Sequence, residues 1–404
     1  MRTNYTIADW DRAFAQLPPP RQKAGLIYLQ VGPWSPWMRA LFLSAAANPS
    51  VAFYFLGPPL DEPRFNLRAV CPHNCAWLPL DDQTIKDRVL RNLLNTTRRP
   101  LKWSLGRNEH KMGGRKLADM KPLWPALVPE LSARHHWIGY VDSDVLLGNV
   151  SNEVEHLHDD VDVLVPAAFY PEPIANGNFM LMRSTDKMLY AFKRGLLWQP
   201  MLHRIFEYFA FDEWGQSHPW GEKNRPSMLN VFMDMWLGGE LLARPTRGLL
   251  IQDVVVKKGM RFPRIDQMAQ VAFYWRHGSL VAEREGLCNC PNDDIRQFGL
   301  SVCAECLKQP GARLLNVTHR RLEVFGVHFQ EFKKQWRQGG FDQLRKHNGI
   351  WPPGSYPVAP CILRSPEPAA FDLTPGGFRC SNGSVGSLRH HYSAPFRVPK
   401  GATG

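Results

Sequence analysis

The chain has 404 residues, of which 44% are hydrophobic, so it can bury a substantial core in one large or two ordinary domains. Lys and Arg outnumber Asp and Glu by 49 to 37, which gives a formal net charge of +12. This surplus favours anionic partners such as phosphates, acidic glycans, nucleic acid or membrane head groups. No stretch approaches the roughly 18 apolar residues of a membrane span, and Met1 to Trp10 lacks signal-peptide order, so a soluble chain is expected.

Eight cysteines and several Asn-x-Ser/Thr sequons suit an oxidising compartment. A secretory or Golgi lumen is therefore slightly favoured over the cytoplasm. If the protein is luminal, its targeting segment lies outside this sequence, and membrane association is expected only through such a segment.

Strands and helices alternate in the first hundred residues. Apolar runs and helical spacing predict, in chain order, strand Gly25–Val31, helix Trp34–Ala47, strand Val51–Leu56, strand Cys75–Leu80 and a helix from Asp81 to about Leu94. This alternation predicts a largely parallel sheet with helices on both faces.

The rest of the chain continues this pattern after a basic loop over 98–121. Helices are predicted at Ala118–Leu131, Thr185–Arg194, Met228–Leu237 and Phe332–Arg345, and strands at Trp137–Val141, Val145–Leu147, Val161–Val165, Asn178–Met182, Leu249–Val256 and Leu322–Phe329. A hairpin over Ala272–Val281 is expected to turn at His277-Gly278. Residues 346–404, rich in Pro and Gly, predict an irregular C-terminal extension.

Asp142-Ser143-Asp144 follows the apolar strand Trp137–Val141 directly. Side chains at the carboxyl end of a parallel strand lie where α/β sheets place their sites, and carboxylates there can hold a hard cation against a diphosphate. The structural alternative is that Asp142 caps a turn and Asp144 is a solvated acid.

Several segments together carry a resemblance to a known family. They are LFLSAAANPSVAFYFLG (41–57), KLADMKPLWPALVPEL (116–131), WIGYVDSDVLLGNV (137–150), NGNFMLMRST (176–185), FDEW (211–214), FYWRHGSL (273–280) and VFGVHFQEFKK (324–334). Their order and composition over about residues 24–338 resemble the DxD-containing GT-A glycosyltransferases of the lipopolysaccharide-biosynthesis type, whose functions are poorly characterised.

The resemblance implies an α/β fold of the GT-A type, with a Rossmann-like mixed sheet flanked by helices in a single catalytic domain. This domain covers residues 20–345 and includes a Cys-rich insertion at 286–312. The implied activity is metal-dependent transfer of a hexosyl-type group from a nucleoside diphosphate sugar, a UDP-sugar above others, to a hydroxyl of a glycan, glycolipid or glycoprotein.

The resemblance also assigns site residues. Asp142, Asp144 and His328 would hold Mn²⁺ or Mg²⁺, although a histidine between apolar neighbours, taken alone, is more often a core residue. Asp142 and Ser143 would also contact the nucleotide sugar.

Further site residues follow from the same match. Lys116, Asp119 and Lys121 would contact the nucleotide base or diphosphate, Asn176 and Gly177 would line the sugar pocket, Lys333 would stabilise the leaving diphosphate, and Asp212 or Glu213 would act as the base. Asn178 departs from the family's Ser-Gly-His pattern, which leaves the donor sugar open. For the Lys and Asp residues, the plain alternatives are a capped helix start and a solvated surface.

The cysteines leave two readings open. Cys288, Cys290, Cys303 and Cys306 suit either a structural Zn²⁺ site or two disulfides, and Cys71 and Cys75 suit either a disulfide or two buried thiols.

Two other functions of the protein remain open. One is a polyanion- or nucleic-acid-binding protein, for which no recognised nucleic-acid motif is present, and the other is an inactive GT-A relative that binds sugar nucleotide without turnover.

Overall fold

In a computed structural model, the described residues form an α/β fold around a mixed sheet of nine strands. In order across the sheet, these strands are β3 (Cys75–Pro79), β2 (Val51–Gly57), β1 (Ala24–Leu29), β4 (Trp137–Val141), β7 (Phe179–Arg183), β6 (Val163–Ala167), β8 (Ala243–Gln252), β14 (Gly326–His328) and β5 (Val145–Leu147). The structure describes residues 5–31, 34–35, 37–60, 67–71, 73–96, 101, 117–167, 177–203, 209, 211–212, 227–252, 271–276, 278–284, 288–289, 313–314, 320–324, 326–328, 370–374 and 377–380.

Four parallel strands form one half of the sheet. These are β1 (Ala24–Leu29), β2 (Val51–Gly57), β3 (Cys75–Pro79) and β4 (Trp137–Val141), with β1 paired to both β2 and β4. The order 3-2-1-4 is that of a Rossmann-like half-sheet, in which the carboxyl ends of all four strands meet at one edge. The parallel β-α-β opening predicted from the sequence is confirmed.

The other half of the sheet is mixed. Its strands are β5 (Val145–Leu147), β6 (Val163–Ala167), β7 (Phe179–Arg183), β8 (Ala243–Gln252) and β14 (Gly326–His328). β7 runs antiparallel to both β4 and β6, and β5 runs antiparallel to β14 at the sheet edge. The mixed sheet predicted from the family resemblance is therefore present.

Helices cover the sheet. The α-helices span Ile7–Ala15, Met38–Ala46, Leu67–Val70, Asp82–Arg88, Trp124–Leu127, Pro129–Ser132, Val150–Glu155, Asp186–Leu189, Trp198–His203 and Met228–Leu237. A π-helical turn spans Val89–Leu93, and 3-10 turns span Lys121–Leu123 and Ala191–Arg194. Among the described residues, no helix is both long enough and apolar enough to cross a membrane.

The hydrophobic core lies on both faces of the sheet because alternate strand residues point to opposite sides. Leu26 and Tyr28 of β1 join one buried cluster, which includes the helix Met38–Ala46. Ile27 and Leu29 join a second cluster on the opposite face. A strand that is buried on both faces explains the continuous apolar run in β1.

Some predicted elements differ from the structure. The helix predicted over Ala118–Leu131 is divided into short turns, because Pro122, Pro125 and Pro129 each lack the N–H that a continuous helix needs. The strand predicted over Leu322–Phe329 is two strands, β13 (Arg320–Val324) and β14, which belong to different sheets.

Among the described residues, a second sheet has five strands, in the order β13, β10 (Ser279–Arg284), β9 (Val271–Arg276), β15 (Ala370–Thr374) and β16 (Gly377–Cys380). Its hairpin pairs β9 with β10, as predicted, and Gly278 between the two strands has φ +88°, whereas His277 lies outside the described residues. β15 (Ala370–Thr374) and β16 (Gly377–Cys380) come from the region where the sequence predicts an irregular extension.

The cysteine predictions are resolved in part. Cys71 and Cys75 form a disulfide. The short strands β11 (Cys288–Asn289) and β12 (Arg313–Leu314) pair and close the base of the Cys-rich insertion. Cys290, Cys303, Cys306 and the side chain of Cys288 lie outside the described residues, as does the helix predicted at Phe332–Arg345.

Candidate functional site

The segment Asp142-Ser143-Asp144 leaves the sheet at the carboxyl end of β4. The N–H of Asp142 donates to the carbonyl of Asn178 at 2.9 Å, and the N–H of Val145 donates to the carbonyl of Asp142 at 3.0 Å. These bonds hold the segment as a tight turn between β4 and β5. The two carboxylates therefore lie at the edge of the sheet where the parallel strands end, as the sequence predicts.

A buried lysine joins three of the predicted site segments. The Nζ of Lys121 lies 2.7 Å and 2.8 Å from the two carboxylate oxygens of Asp142 and 3.0 Å from Oδ2 of Asp212. It also donates to the carbonyl of Gly177 at 2.6 Å. The side chain of Lys121 is 6% exposed and that of Asp212 is 0% exposed. One ammonium thus faces two carboxylates and a carbonyl that lie far apart in the sequence.

Asp119 has a different position from the one that the family resemblance implies. Its carboxylate is fully buried and accepts the main-chain N–H groups of Phe209 and Phe211, each at 3.1 Å. Charged hydrogen bonds of this kind fix a backbone segment firmly. Asp119 therefore fixes the segment that brings Asp212 to Lys121.

Two neighbouring side chains, those of Trp37 and Asn48, form hydrogen bonds with the turn and with the segment that follows it. The indole N–H of Trp37 donates to the carbonyl of Ser143 at 2.6 Å. Asn48, which is fully buried, donates through Nδ2 to the carbonyl of Gly148 at 2.8 Å and accepts the N–H of Ser151 at 2.9 Å. The Asn-Pro at 48–49 and the Gly-Asn at 148–149 are thus in direct contact, which gives both motifs a structural role.

Asp144 directly precedes β5, and His328 is the last residue of β14, which pairs with β5. Asp144 is 5% exposed, and β14 pairs His328 directly opposite Val145, the residue after Asp144. Opposed residues of an antiparallel pair have Cα atoms about 4.5 to 5.5 Å apart. Among the side chains that the structure describes, no group of three His, Cys, Asp or Glu is arranged to hold a metal ion, and the side chain of His328 is outside that set.

Two residues near the turn were not found by sequence reasoning. Burial, together with the negative charge of Asp142, raises the pKa of Tyr28, whose hydroxyl is inside the core on β1. Arg39, in the first turn of the helix Met38–Ala46, is 4% exposed, and burial lowers its pKa. The sequence signal for Arg39 is a single charge in an otherwise apolar helix, MRALFLSAA.

Of the other predicted site residues, the structure describes one and leaves four outside its described part. Gly177 is buried and in contact with Lys121, whereas four others lie outside the described residues: Lys116, Asn176, Glu213 and Lys333. Their roles stay predictions, as do the metal role of His328 and the choice of zinc or disulfides for the insertion.

Solved structures that resemble this chain include two of the glycosyltransferase GlyE from Streptococcus pneumoniae TIGR4. The apo form has 10% sequence identity and a TM-score of 0.28, over 55% of this chain and 45% of GlyE. A second GlyE structure has 9% identity and a TM-score of 0.24, over 43% of this chain and 38% of GlyE. The alignments span less than half of GlyE, and at these scores they carry no argument about activity.

No curated protein matches the chain. Residues 26–286 match the model of a family that is described only as a family of unknown function, DUF6625. This range contains most of β1, the strands β2 to β10, the turn Asp142-Ser143-Asp144 and Lys121 with its partners, and it is well over half of the 404 residues. The lipopolysaccharide-biosynthesis type therefore remains a resemblance, and the chain belongs to the DUF6625 family of unknown function.

Proposed function

We propose that this protein is a metal-dependent glycosyltransferase that moves a hexosyl-type group from a nucleoside diphosphate sugar to a hydroxyl acceptor. A UDP-sugar is the donor class that the family resemblance favours, and a glycan, glycolipid or glycoprotein is the acceptor class. The observation that carries the proposal is the contact of Lys121 with Asp142, Asp212 and Gly177 at the carboxyl edge of the sheet.

The energetics of this cluster favour a functional role over a purely structural one. Burying an ammonium and a carboxylate costs several kcal/mol per ion, and a buried ion pair often stabilises a fold no better than an apolar replacement. Such groups concentrate at functional sites, where charged side chains must be held in one geometry. The position of the cluster, beside the turn that carries Asp144, agrees with that interpretation.

The residues at the turn fit a divalent cation by their chemistry. Carboxylate oxygens and an imidazole nitrogen are suitable ligands for Mn²⁺, and carboxylates alone suit Mg²⁺. We expect Asp144 and His328 to hold the cation, with Asp142 beside them. When bound, the cation would offset the charge of the departing diphosphate.

The chain's own residues would prepare the site. Lys121 holds the carboxylate of Asp142 in a single orientation, and Trp37 holds the carbonyl of Ser143 between the two acids. A site whose groups are already oriented loses less free energy when substrate binds and reacts. Lys333 would add a second positive charge near the leaving diphosphate.

The role of Asp212 within this proposal changes from base to positioning residue. Its side chain is fully buried and lies 3.0 Å from the ammonium of Lys121, so an acceptor hydroxyl has no approach to it in this conformation. A general base must come within about 3.2 Å of the proton that it removes. Glu213 is then the candidate base of the Phe-Asp-Glu-Trp segment.

A product assay tests the proposal. Purified protein is incubated with a panel of UDP-hexoses and Mn²⁺, with and without simple sugar acceptors, and UDP release is measured. Release from at least one donor is expected, with a loss of at least about tenfold in Asp144→Ala and none in Asp160→Ala, which removes an exposed carboxylate. Equal rates in the two variants, or no release from any donor, would contradict the proposal.

A further inference from the structure

A cavity of about 370 Å³ opens at the end of the sheet opposite to the Asp142–Asp144 turn. Its polar lining comes from Arg134, His135, His136, Arg183, Ser184 and Thr185. Arg183 pairs with Trp137 at the start of β4, whereas the turn follows the end of that strand. Five residue steps of roughly 3.3 Å along a strand put the two sites about 17 Å apart. This basic cavity is therefore separate from the proposed donor site.

Within the part of the chain that the structure describes, no acidic side chain neutralises the charge of the basic cavity. Among the described residues, neither Arg134 nor Arg183 forms an ion pair, and no carboxylate lines the cavity. The guanidinium of Arg134 instead contacts the carbonyl of Pro18 and lies 5.2 Å from the ring of Phe14. Neither of these contacts removes the positive charge. The two guanidinium groups therefore give the cavity a local field that attracts anions.

His135 forms a neutral wall of the basic cavity. Its Nε2 lies 2.8 Å from the hydroxyl of Tyr54 and its Nδ1 lies 2.9 Å from the carbonyl of Gln22. Burial lowers the pKa of His135 to about 4. Its ring is thus held in place without charge at neutral pH, and the positive charge comes from the arginines, with the exposed His136 at the rim.

The basic cavity also has hydrogen-bonding capacity that the described structure does not use. The Nε of Arg134 and the hydroxyls of Ser184 and Thr185 are buried and have no hydrogen-bond partner there. Thr185 precedes the helix Asp186–Leu189, but its side chain does not cap that helix. Each of these groups can donate a hydrogen bond, and a buried donor without an acceptor costs about 1 to 3 kcal/mol. An anion that brings acceptor oxygens would reduce this cost.

We propose that the basic cavity binds a phosphate group, chiefly through the guanidinium of Arg183 with Arg134 beside it. A guanidinium presents a planar fork of N–H donors that matches two phosphate oxygens. Two such groups, hydroxyl donors and the absence of a lining carboxylate favour phosphate over a cation or a neutral sugar. The phosphate can belong to a soluble phosphate ester or to the head group of an anionic lipid. The inference does not depend on the proposed transferase activity.

Calorimetric titration with inorganic phosphate at low salt tests the site directly. Wild type, Arg183→Gln and Arg247→Gln are compared, the last being a matched loss of an exposed arginine on β8. We expect wild type and Arg247→Gln to bind equally and Arg183→Gln to bind at least about tenfold more weakly. Ser184→Ala removes one hydrogen-bond donor and little volume, and it should weaken binding several-fold. This variant distinguishes a loss of phosphate contacts from a folding defect in Arg183→Gln.

A second arm distinguishes the two sources of phosphate. Flotation with phosphatidylglycerol vesicles, compared with phosphatidylcholine vesicles, measures recognition of a lipid head group. Binding to phosphatidylglycerol that is lost in Arg183→Gln, without a response to inorganic phosphate, supports the site and assigns it to a membrane surface. No binding in either arm, or the same binding in Arg183→Gln and Arg247→Gln, would overturn the proposal. Because UDP binding should be unchanged in Arg183→Gln, failure here is distinguishable from failure of the transferase proposal.

Discussion

Replacing Lys121 with Met tests whether its ammonium stabilises the carboxylates around it. The substitution keeps the length of the side chain and removes the charge that lies 2.7 Å from Asp142 and 3.0 Å from the fully buried Asp212. Removing one partner of a buried ion pair typically costs 3 to 5 kcal/mol, because the other charge is left in a poorly solvated position. We expect a loss of about 4 kcal/mol, moderated by the 18% exposure of the Asp142 side chain.

The free energy of unfolding from urea denaturation measures this effect, and a fall in Tm of roughly 5 °C should accompany it. Lys187→Met is the matched control: its pair with Asp162 at 2.8 Å is similar in length, but the Lys187 side chain is 39% exposed, so about 0 to 1 kcal/mol is expected. In Lys121→Met/Asp212→Asn the loss should be smaller than the sum of the single losses by at least about 1 kcal/mol. A loss under about 1 kcal/mol in Lys121→Met would refute the reasoning.

Three further changes probe the framework. Gly139→Ala should cost about 1 to 3 kcal/mol or more, because a Cβ there would lie 1.9 Å from the carbonyl of Met180, whereas Gly238→Ala meets nothing closer than 3.2 Å; urea denaturation compares the two. Asp119→Ala should cost about 1 to 3 kcal/mol in the same assay, because two buried N–H groups lose their acceptor. Burial lowers the pKa of His135 from 6.5 to about 4, so between these pH values the unfolded chain binds more protons than the folded chain. The free energy of unfolding should therefore fall by about 3 kcal/mol as the pH drops from 6.5 to 4. His135→Gln should remove this decrease.

Each of these predictions has a result that would count against it. Equal stability of Gly139→Ala and Gly238→Ala would mean that β4 and β7 can separate without cost. An unchanged Asp119→Ala would mean that the segment before Asp212 is held by other contacts. The same pH dependence in wild type and His135→Gln would show that other groups cause the acid destabilisation.

The sheet was largely predictable because each strand is a compact apolar run bounded by polar or turn residues. β1, β2 and β4 are buried on both faces, and such strands produce a strong local signal. The segments whose secondary structure depends on contacts with residues far away in the sequence were less predictable. The run Leu322–Phe329 reads as one strand, yet it divides between two sheets, and no local pattern encodes that division.

For the candidate site, the sequence indicates residues that the structure brings together, but it does not indicate their geometry. Asp142, Lys121, Asp212 and Gly177 were selected from separate motifs, and the structure brings them together. Their roles could not be predicted from the sequence, because an Asp that accepts backbone N–H groups and an Asp that faces a ligand are the same residue type. Asp119 is the example: its motif suggested a nucleotide contact, and its surroundings make it a support for a backbone segment.

The central claim is that the Asp142–Asp144 turn is a metal-dependent site for a nucleoside diphosphate. Calorimetric titration of UDP with and without Mn²⁺, on wild type, Asp144→Ala and the exposed control Asp160→Ala, tests it most directly. The account predicts binding that requires Mn²⁺, is retained in Asp160→Ala and is lost in Asp144→Ala. UDP binding that is indifferent to Mn²⁺ or to Asp144→Ala, or no binding under any condition, would contradict it.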